Sequence, residues 1–221
     1  QRSASASTSD FSRDSLGRFV EETCALAKAV VEDPVSGLPE SGQLATDVPD
    51  LQIHDPTTLQ TDEQIALALR AERAAFAADS RITNSEGGEC DSSSGRIILA
   101  NSHGFLGQYA NSSFSLSVSP IASDAAGMQR DYWYGVNRSF AKLDSPEAIG
   151  QEATRRTVRK LGARKVATCR VPVIFDPEVA GSLLSHLCSA LSGYALYKGA
   201  SFLIGQLGRQ IAPDFVTIYD D

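Results

Sequence analysis

The sequence predicts an α+β fold in which helices pack on an antiparallel or mixed sheet. Two observations carry this. Helix-like and strand-like stretches are segregated rather than alternating, which disfavours a doubly wound sheet. The strand-like block, from Arg81 to about Asn137, is broken by Gly, Asn and Ser clusters as an antiparallel meander would be, with a helical pattern on each side.

The elements follow in order. "RSASASTS" alternates small and hydroxylated residues with period two, as a half-exposed strand would. In "DSLGRFVEETCALAKAVVEDP", Leu16, Phe19, Val20, Thr23, Cys24, Ala27 and Val30 share one helical stripe, closed by Pro34, so Cys24 is expected in a core seam. The Gly-, Pro- and Asp-rich stretch that follows reads as a long connection with one short strand at Leu51 to His54, leaving His54 a loop residue. "TDEQIALALRAERAAFAAD" begins with Thr61 and Gln64 at capping-box spacing and continues in strong helix formers. Within the meander, "NSEGGEC" is expected to be a hairpin turn and "NSHGFLG" a loop. "SPEAIGQEATRRTVRKLGARKV" returns to helix, with Ser145 as N-cap, Pro146 at the first helical position and Gly162 just past the end. A strand at Val171 to Phe175 then feeds a helix capped by Asp176 and opened by Pro177, and "DFVTIYDD" looks like a strand entering a turn.

Composition narrows the function. The chain has 221 residues, enough for a substantial core. With 20 basic and 27 acidic residues its formal charge is -7, and Lys and Arg form no block, which argues against broad affinity for nucleic acid or acidic membranes. No apolar run reaches a membrane-spanning length, and the start lacks a charged-then-apolar leader. Four scattered cysteines, Cys24, Cys90, Cys169 and Cys188, form no CxxC, so free thiols in a reducing cytoplasm are expected. The first residue is Gln rather than Met, as expected of a piece of something longer.

The chemistry-bearing residues are few. On the helix from Pro177, Ala180, Leu183, Leu184, Leu187, Cys188 and Leu191 make an apolar stripe, with Ser182, Ser185, His186 and Ser189 opposite. Cys188 stands about 200° from His186, so the two cannot hold one ion from a regular helix. Cys188 is expected in the core and His186 at solvent or a partner. "RDYWYG" places Asp131, Tyr132, Trp133 and Tyr134 together. They read either as a pairing or substrate-lining strand, or as an ordinary strand with Tyr132 and Tyr134 on one side and Trp133 on the other. His103 lies in a Gly-rich turn and reads as structural or solvated rather than catalytic, with an interface or substrate-lining role as the alternative. "NSEGGEC" lacks the oxygen-ligand pattern of a calcium loop. Neither a nucleophile elbow nor a phosphate-binding fingerprint is present.

The order "FDPEVAGSLLSHLCSALSG", "YKGASFLIGQLGRQI" and "VTIYDD", with "NSEG", "ANSHGF", "GMQRDYWY" and "LGARKV" upstream, closely resembles the TldD/PmbA family on its PmbA/TldE side. The likeness runs along essentially the whole chain and matches the middle of a family member. It implies that residues 1–170 belong to the helix-flanked meander region of the family's N-terminal domain and 171–221 to the start of its C-terminal domain. It also implies a two-subunit cytoplasmic metalloprotease of bacteria and archaea, linked to maturation of microcin-type peptides, antitoxin degradation and modulation of DNA gyrase. In such a pair the TldD-like subunit carries zinc on HExxxH. Laid on this helix, that motif puts Ser185 and Ala190 at the histidine positions and His186 at the glutamate, so no metal and no catalytic residue is expected in this chain. The expected partners are a zinc-bearing TldD-like subunit and a peptide, or a second copy of the chain when that subunit is missing. Two other readings stand beside it: hydrolysis by the chain itself through an unrecognised site, and a binding module acting without proteolysis.

Overall fold

In a computed structural model, which describes residues 1–219, the chain divides into two compact units, Gln1–Arg164 and Lys165–Asp221. The first holds α1 (Arg13–Ala29), α2 (Thr61–Ala78), β1 (Ile82–Ala100), β2 (Leu106–Asp124), β3 (Gly127–Arg130), β4 (Trp133–Asn137) and α3 (Pro146–Val158). The second holds α4 (Pro177–Leu191) and α5 (Gly193–Tyr197). The fold is α+β, with an antiparallel sheet: β1 pairs β2 along its whole length, and the far edge of β2 is shared by β3 and β4.

β2 shows how sequence period becomes a two-sided layer. Ser112, Phe114, Leu116, Val118, Pro120 and Ala122 are buried, while the intervening serines are only half-covered. Pro120 is tolerated in this central strand because it falls between the β4 pairing, which ends at Val118↔Trp133, and the β3 pairing, which starts at Ile121↔Arg130. Leu116 and Val118 pack with Ala71 and Ala75 of α2 and with Ile149 and Ala153 of α3 to form the core. Thr154 donates from α3 to the Ala75 carbonyl at 3.0 Å, so the helix pair is also pinned by a buried hydroxyl.

Small residues set the spacing. A Cβ on Gly150 of α3 would lie 2.4 Å from the Ala71 carbonyl oxygen, and one on Gly88 of β1 would lie 2.5 Å from the Ala68 carbonyl oxygen. The backbone of α2 therefore approaches both neighbours at distances no side chain allows.

Several expectations change. "NSEGGEC" is not a hairpin turn but an irregularity inside β1, with register shifts between Ile82 and Asn84 and between Ser85 and Gly88, and Gly87 at φ 113°. The glycines serve a bulge and a close helix contact rather than a reversal. The reversal comes at Asn101–Phe105, where the Asn101 Oδ1 accepts from the His103 and Phe105 amides and Gly104 takes φ 90°. The cap of α2 sits one residue earlier than expected: Gln60 and Glu63 form the box, and Glu63 accepts from the Gln60 amide at 2.8 Å. Ser145 and Pro146 open α3 as the sequence predicts, but the helix ends at Val158 with Arg159 as its C-cap, so Gly162, at φ 71°, lies in the turn beyond rather than just past the helix end.

No residue of α1 is buried and Cys24 is exposed, because the unit lays no second apolar surface over its stripe. Cys188 is exposed likewise, and on α4 only Ala190 is buried. "RSASASTS", Leu51 to His54, Val171 to Phe175 and the part of "DFVTIYDD" up to Tyr219 are extended or irregular, with no ladder partner to make them strands. Asp220 and Asp221 lie outside the described residues. Among the described residues no helix is long and apolar enough to cross a membrane.

Gly150→Ala is expected to lower stability by about 1–3 kcal/mol by forcing α2 and α3 apart. Gly17→Ala, in open space on α1, should be neutral or raise stability by up to about 1 kcal/mol. Urea unfolding of the two variants checks the opposite signs.

Candidate functional site

Three places bear on function. On α4, the Asp176 side chain accepts from the Glu178 amide and Pro177 opens the helix. Ser185 turns its hydroxyl back to the Gly181 carbonyl at 3.1 Å, and Ser182 and Ser189 make the same kind of bond to Val179 and Ser185. His186 is exposed. Ala190 is buried, with its carbonyl taking the Ser201 hydroxyl at 2.6 Å. Zinc sites take thiolate, imidazole or carboxylate donors; this helix face offers one imidazole, a self-bonded hydroxyl and a methyl group. The residues do not fit zinc, and among the described residues no cluster of His, Cys, Asp and Glu could hold a metal ion.

The second place is β4 and the turn before it. Tyr132 and Tyr134 stack with ring centroids 6.1 Å apart on the outer face, both about half exposed. Trp133 turns the other way, against the core and beneath the Arg156 guanidinium, 3.9 Å from its ring centroid. Glu152 holds Arg156 at 3.0 Å and Arg155 at 2.6 Å. The Arg155 hydrogen bond foremost, opposed by burial and helped by Arg156, brings the Glu152 carboxyl down to about 2. At Asp131, burial opposes ionisation most strongly. The Lys160 ammonium at 2.9 Å, the Tyr132 amide and the charges of Lys160 and Arg156 together still hold this carboxyl below its ordinary range. Asp131 thus staples the strand to the end of α3. His103 sits in the β1–β2 turn with its Nδ1 2.9 Å from the Pro39 carbonyl, far along the sheet from β4. The structure does not bring His103, His186 and the tyrosines to one place within either unit.

The third place is one the sequence reading missed. Ser112, 2% exposed, accepts from the Asp55 amide at 2.8 Å and donates to the Arg138 carbonyl at 2.6 Å. The Asp55 carboxylate in turn accepts from the Ser139 hydroxyl at 2.8 Å and the Phe140 amide at 2.9 Å. Bonds from Thr57 foremost, with those from Ser139 and Phe140, keep this carboxyl well below the usual range. The clasp fixes residues 53–55 against β2. "HDPTT" signals an Asp-headed turn, but partners 57 and 84 residues away are invisible in a linear pattern.

Two family models match the chain: the PmbA/TldA metallopeptidase central domain over residues 54–161 and its C-terminal domain over residues 168–221. The chain belongs to the PmbA/TldD family. Metalloprotease PmbA of Escherichia coli O157:H7 is 42% identical over 217 residues, covering 98% of this chain and 48% of the relative. The PmbA homolog of Haemophilus influenzae is 39% identical over 218 residues, covering 99% and 48%. The chain thus spans about half the length of these relatives. Its fold matches the crystal structure of TldE from Thermococcus kodakarensis, with a TM-score of 0.71, 19% identity, and 90% and 45% of the two chains covered. It also matches that of a putative modulator of a DNA gyrase from Thermotoga maritima, with a TM-score of 0.67, 23% identity, and coverage of 88% and 44%. Within this peptidase family, α4 lies in the part matched by the C-terminal domain model, and the sheet in the part matched by the central one.

Three outcomes test the geometry. Glu152→Gln should lower stability at neutral pH and flatten its fall on acidification. A carboxyl depressed in the folded state stabilises above its unfolded value of about 4.3 and loses that contribution as pH drops toward about 2. Trp133 is the single tryptophan, so its emission should shift in Arg156→Ala and report the lost stacking directly. Thiol titration should show Cys24, Cys169 and Cys188 reacting fast. Cys90 should react slowly, because burial and then Asp91 push its thiol up.

Proposed function

We propose that this chain is part of a PmbA/TldE-type subunit that holds no zinc of its own and works beside a zinc-bearing TldD-like subunit in a two-subunit peptide-processing metalloprotease. The observation that carries this reading is the donor set on α4. Where the family resemblance places two histidines and a glutamate, Ser185 bonds to its own helix, Ala190 has no donor atom, and His186 is alone. A zinc peptidase needs neutral imidazoles to hold the ion and a carboxylate to take the proton of the attacking water. Hydrolysis by this chain alone has little to rest on: among the described residues neither His103 nor His186 has a carboxylate or nucleophile partner. The exposed pair Tyr132 and Tyr134 supports a partner-facing surface on β4, with Asp131 and Trp133 holding the strand beneath it. On this reading the pair works in the cytoplasm on microcin-type peptides and antitoxins.

Metal analysis and a peptide-cleavage assay test the proposal. The full-length protein alone should hold well below one zinc per chain and cleave nothing. Mixed with an HExxxH-bearing partner, it should show one zinc per pair and chelator-sensitive cleavage. Near-stoichiometric zinc with cleavage by the protein alone overturns the assignment.

A further inference from the structure

The Ser112 amide donates to the Ile53 carbonyl at 3.1 Å, away from β1. The β1–β2 register runs without a shift from Gly88↔Val118 to Ala100↔Leu106. In an antiparallel ladder, alternate residues turn their backbone groups to the same side. The N–H and C=O groups of Gln108 and Ala110 therefore also point away from β1. Further along β2 this side is filled by β4 and β3. At Gln108 and Ala110, among the described residues, nothing bonds to it. Residues 48–54 reach the strand at the two ends of this stretch. Ile53 bonds Ser112, and the Val48 Cγ2 lies 3.6 Å from where a Gly107 Cβ would stand. Between them is a cleft of about 610 Å³ lined by Asp50, Arg96, Gln108, Tyr109 and Ala110 among others.

Unpaired edge groups on alternate residues repeat at about 6.8 Å, a spacing that an extended polypeptide backbone matches. Arg96 stands opposite Ala110 in the register, lines the same cleft and has no acidic partner among the described residues. The other charged wall, Asp50, already accepts the Gln52 amide at 3.0 Å. We propose that this cleft binds an extended peptide as an added strand on β2, with a Glu or Asp side chain of the peptide paired to Arg96. The site deepens the peptide-processing reading and rests on it for the origin of the peptide; the binding itself rests on the strand edge and Arg96.

The test uses the full-length protein, alone and with its TldD-like partner. The probe is a fluorescein-labelled peptide of alternating Thr and Val with one central Glu, followed by fluorescence anisotropy. Saturable binding is expected. Ala110→Pro, which removes an N–H turned away from β1, and Arg96→Glu should each weaken it by roughly tenfold or more. Arg96→Lys should retain part of it. N-methylation of alternate probe amides should abolish binding to the unmodified protein, a control independent of how any variant folds. Absence of saturable binding, or equal affinity for the N-methylated probe, overturns the proposal, as does full affinity in a folded Ala110→Pro variant. Zinc content and partner-dependent cleavage are read separately. Lost probe binding with both retained leaves the subunit assignment standing, and probe binding without either leaves the cleft standing.

Discussion

The close approach of α2 to its neighbours governs the first unit. Backbone carbonyls of Ala68 and Ala71 lie where side chains of Gly88 and Gly150 would otherwise be. Once the spacing is that tight, the residues between must be small, and Ala71, Ala75 and Ala153 fill it with complete burial. The large apolar volume comes from the sheet and from Ile149 instead. Such a core gains little from each residue and depends on the fit of backbones, so it tolerates added volume poorly. The same contact explains the bulge in β1. Gly87 and Gly88 let the strand bend at the point where α2 crosses it, and Gly87 is steadied by the Ser85 hydroxyl at 2.9 Å.

From that platform the long hairpin of β1 and β2 extends past the helices, and polar bonds take over from packing. Ser112 marks the changeover. Toward Ala122 the inward face of β2 meets helices; toward Leu106 it faces residues 48–54, attached at Ser112 through Asp55 and Ile53. Ile98, Leu99 and Leu106 are each more than half exposed there. A carboxylate with several donors resists protonation and competes poorly for water, so Asp55 can hold a connecting segment whose residues 48–54 include none that is buried. The open edge at Gln108 and Ala110 results from that economy: the segment is tied at Ser112 and leaves the strand beyond it unpaired.

Much of this was legible in linear order. Period and capping located α1, α2, α3 and α4, because Ser145, Asp176 and the prolines after them act within one turn. The antiparallel sheet followed from its punctuation. What failed was burial and pairing, which depend on a second surface. A stripe such as that bearing Cys24 promises a core only if something packs on it, and a strand-like run such as Val171 to Phe175 becomes a strand only beside a free edge. "NSEGGEC" misled for a related reason: glycine marks unusual backbone geometry without saying whether the cause is a reversal or a neighbouring helix. The site had the same limits. Tyr132 and Tyr134 were placed on one side by alternation, whereas the Asp55 clasp and the Arg156 beneath Trp133 join residues far apart in sequence.

The contacts that hold α4 together depend on no metal ligand. Its start is held by Asp176 and Pro177, its serine hydroxyls bond to carbonyls of the same helix, and its far end is tied by Ser201 at the Ala190 carbonyl. None of these contacts needs a histidine or an ion. A histidine at Ala190 would need room at the most buried point of the helix, and one at Ser185 would replace a hydroxyl already bonded at 3.1 Å. The helix is thus stabilised by local bonds that leave its outward surface uncommitted. That arrangement agrees with the proposed reading, in which α4 contributes shape to an assembly whose chemistry sits on another subunit.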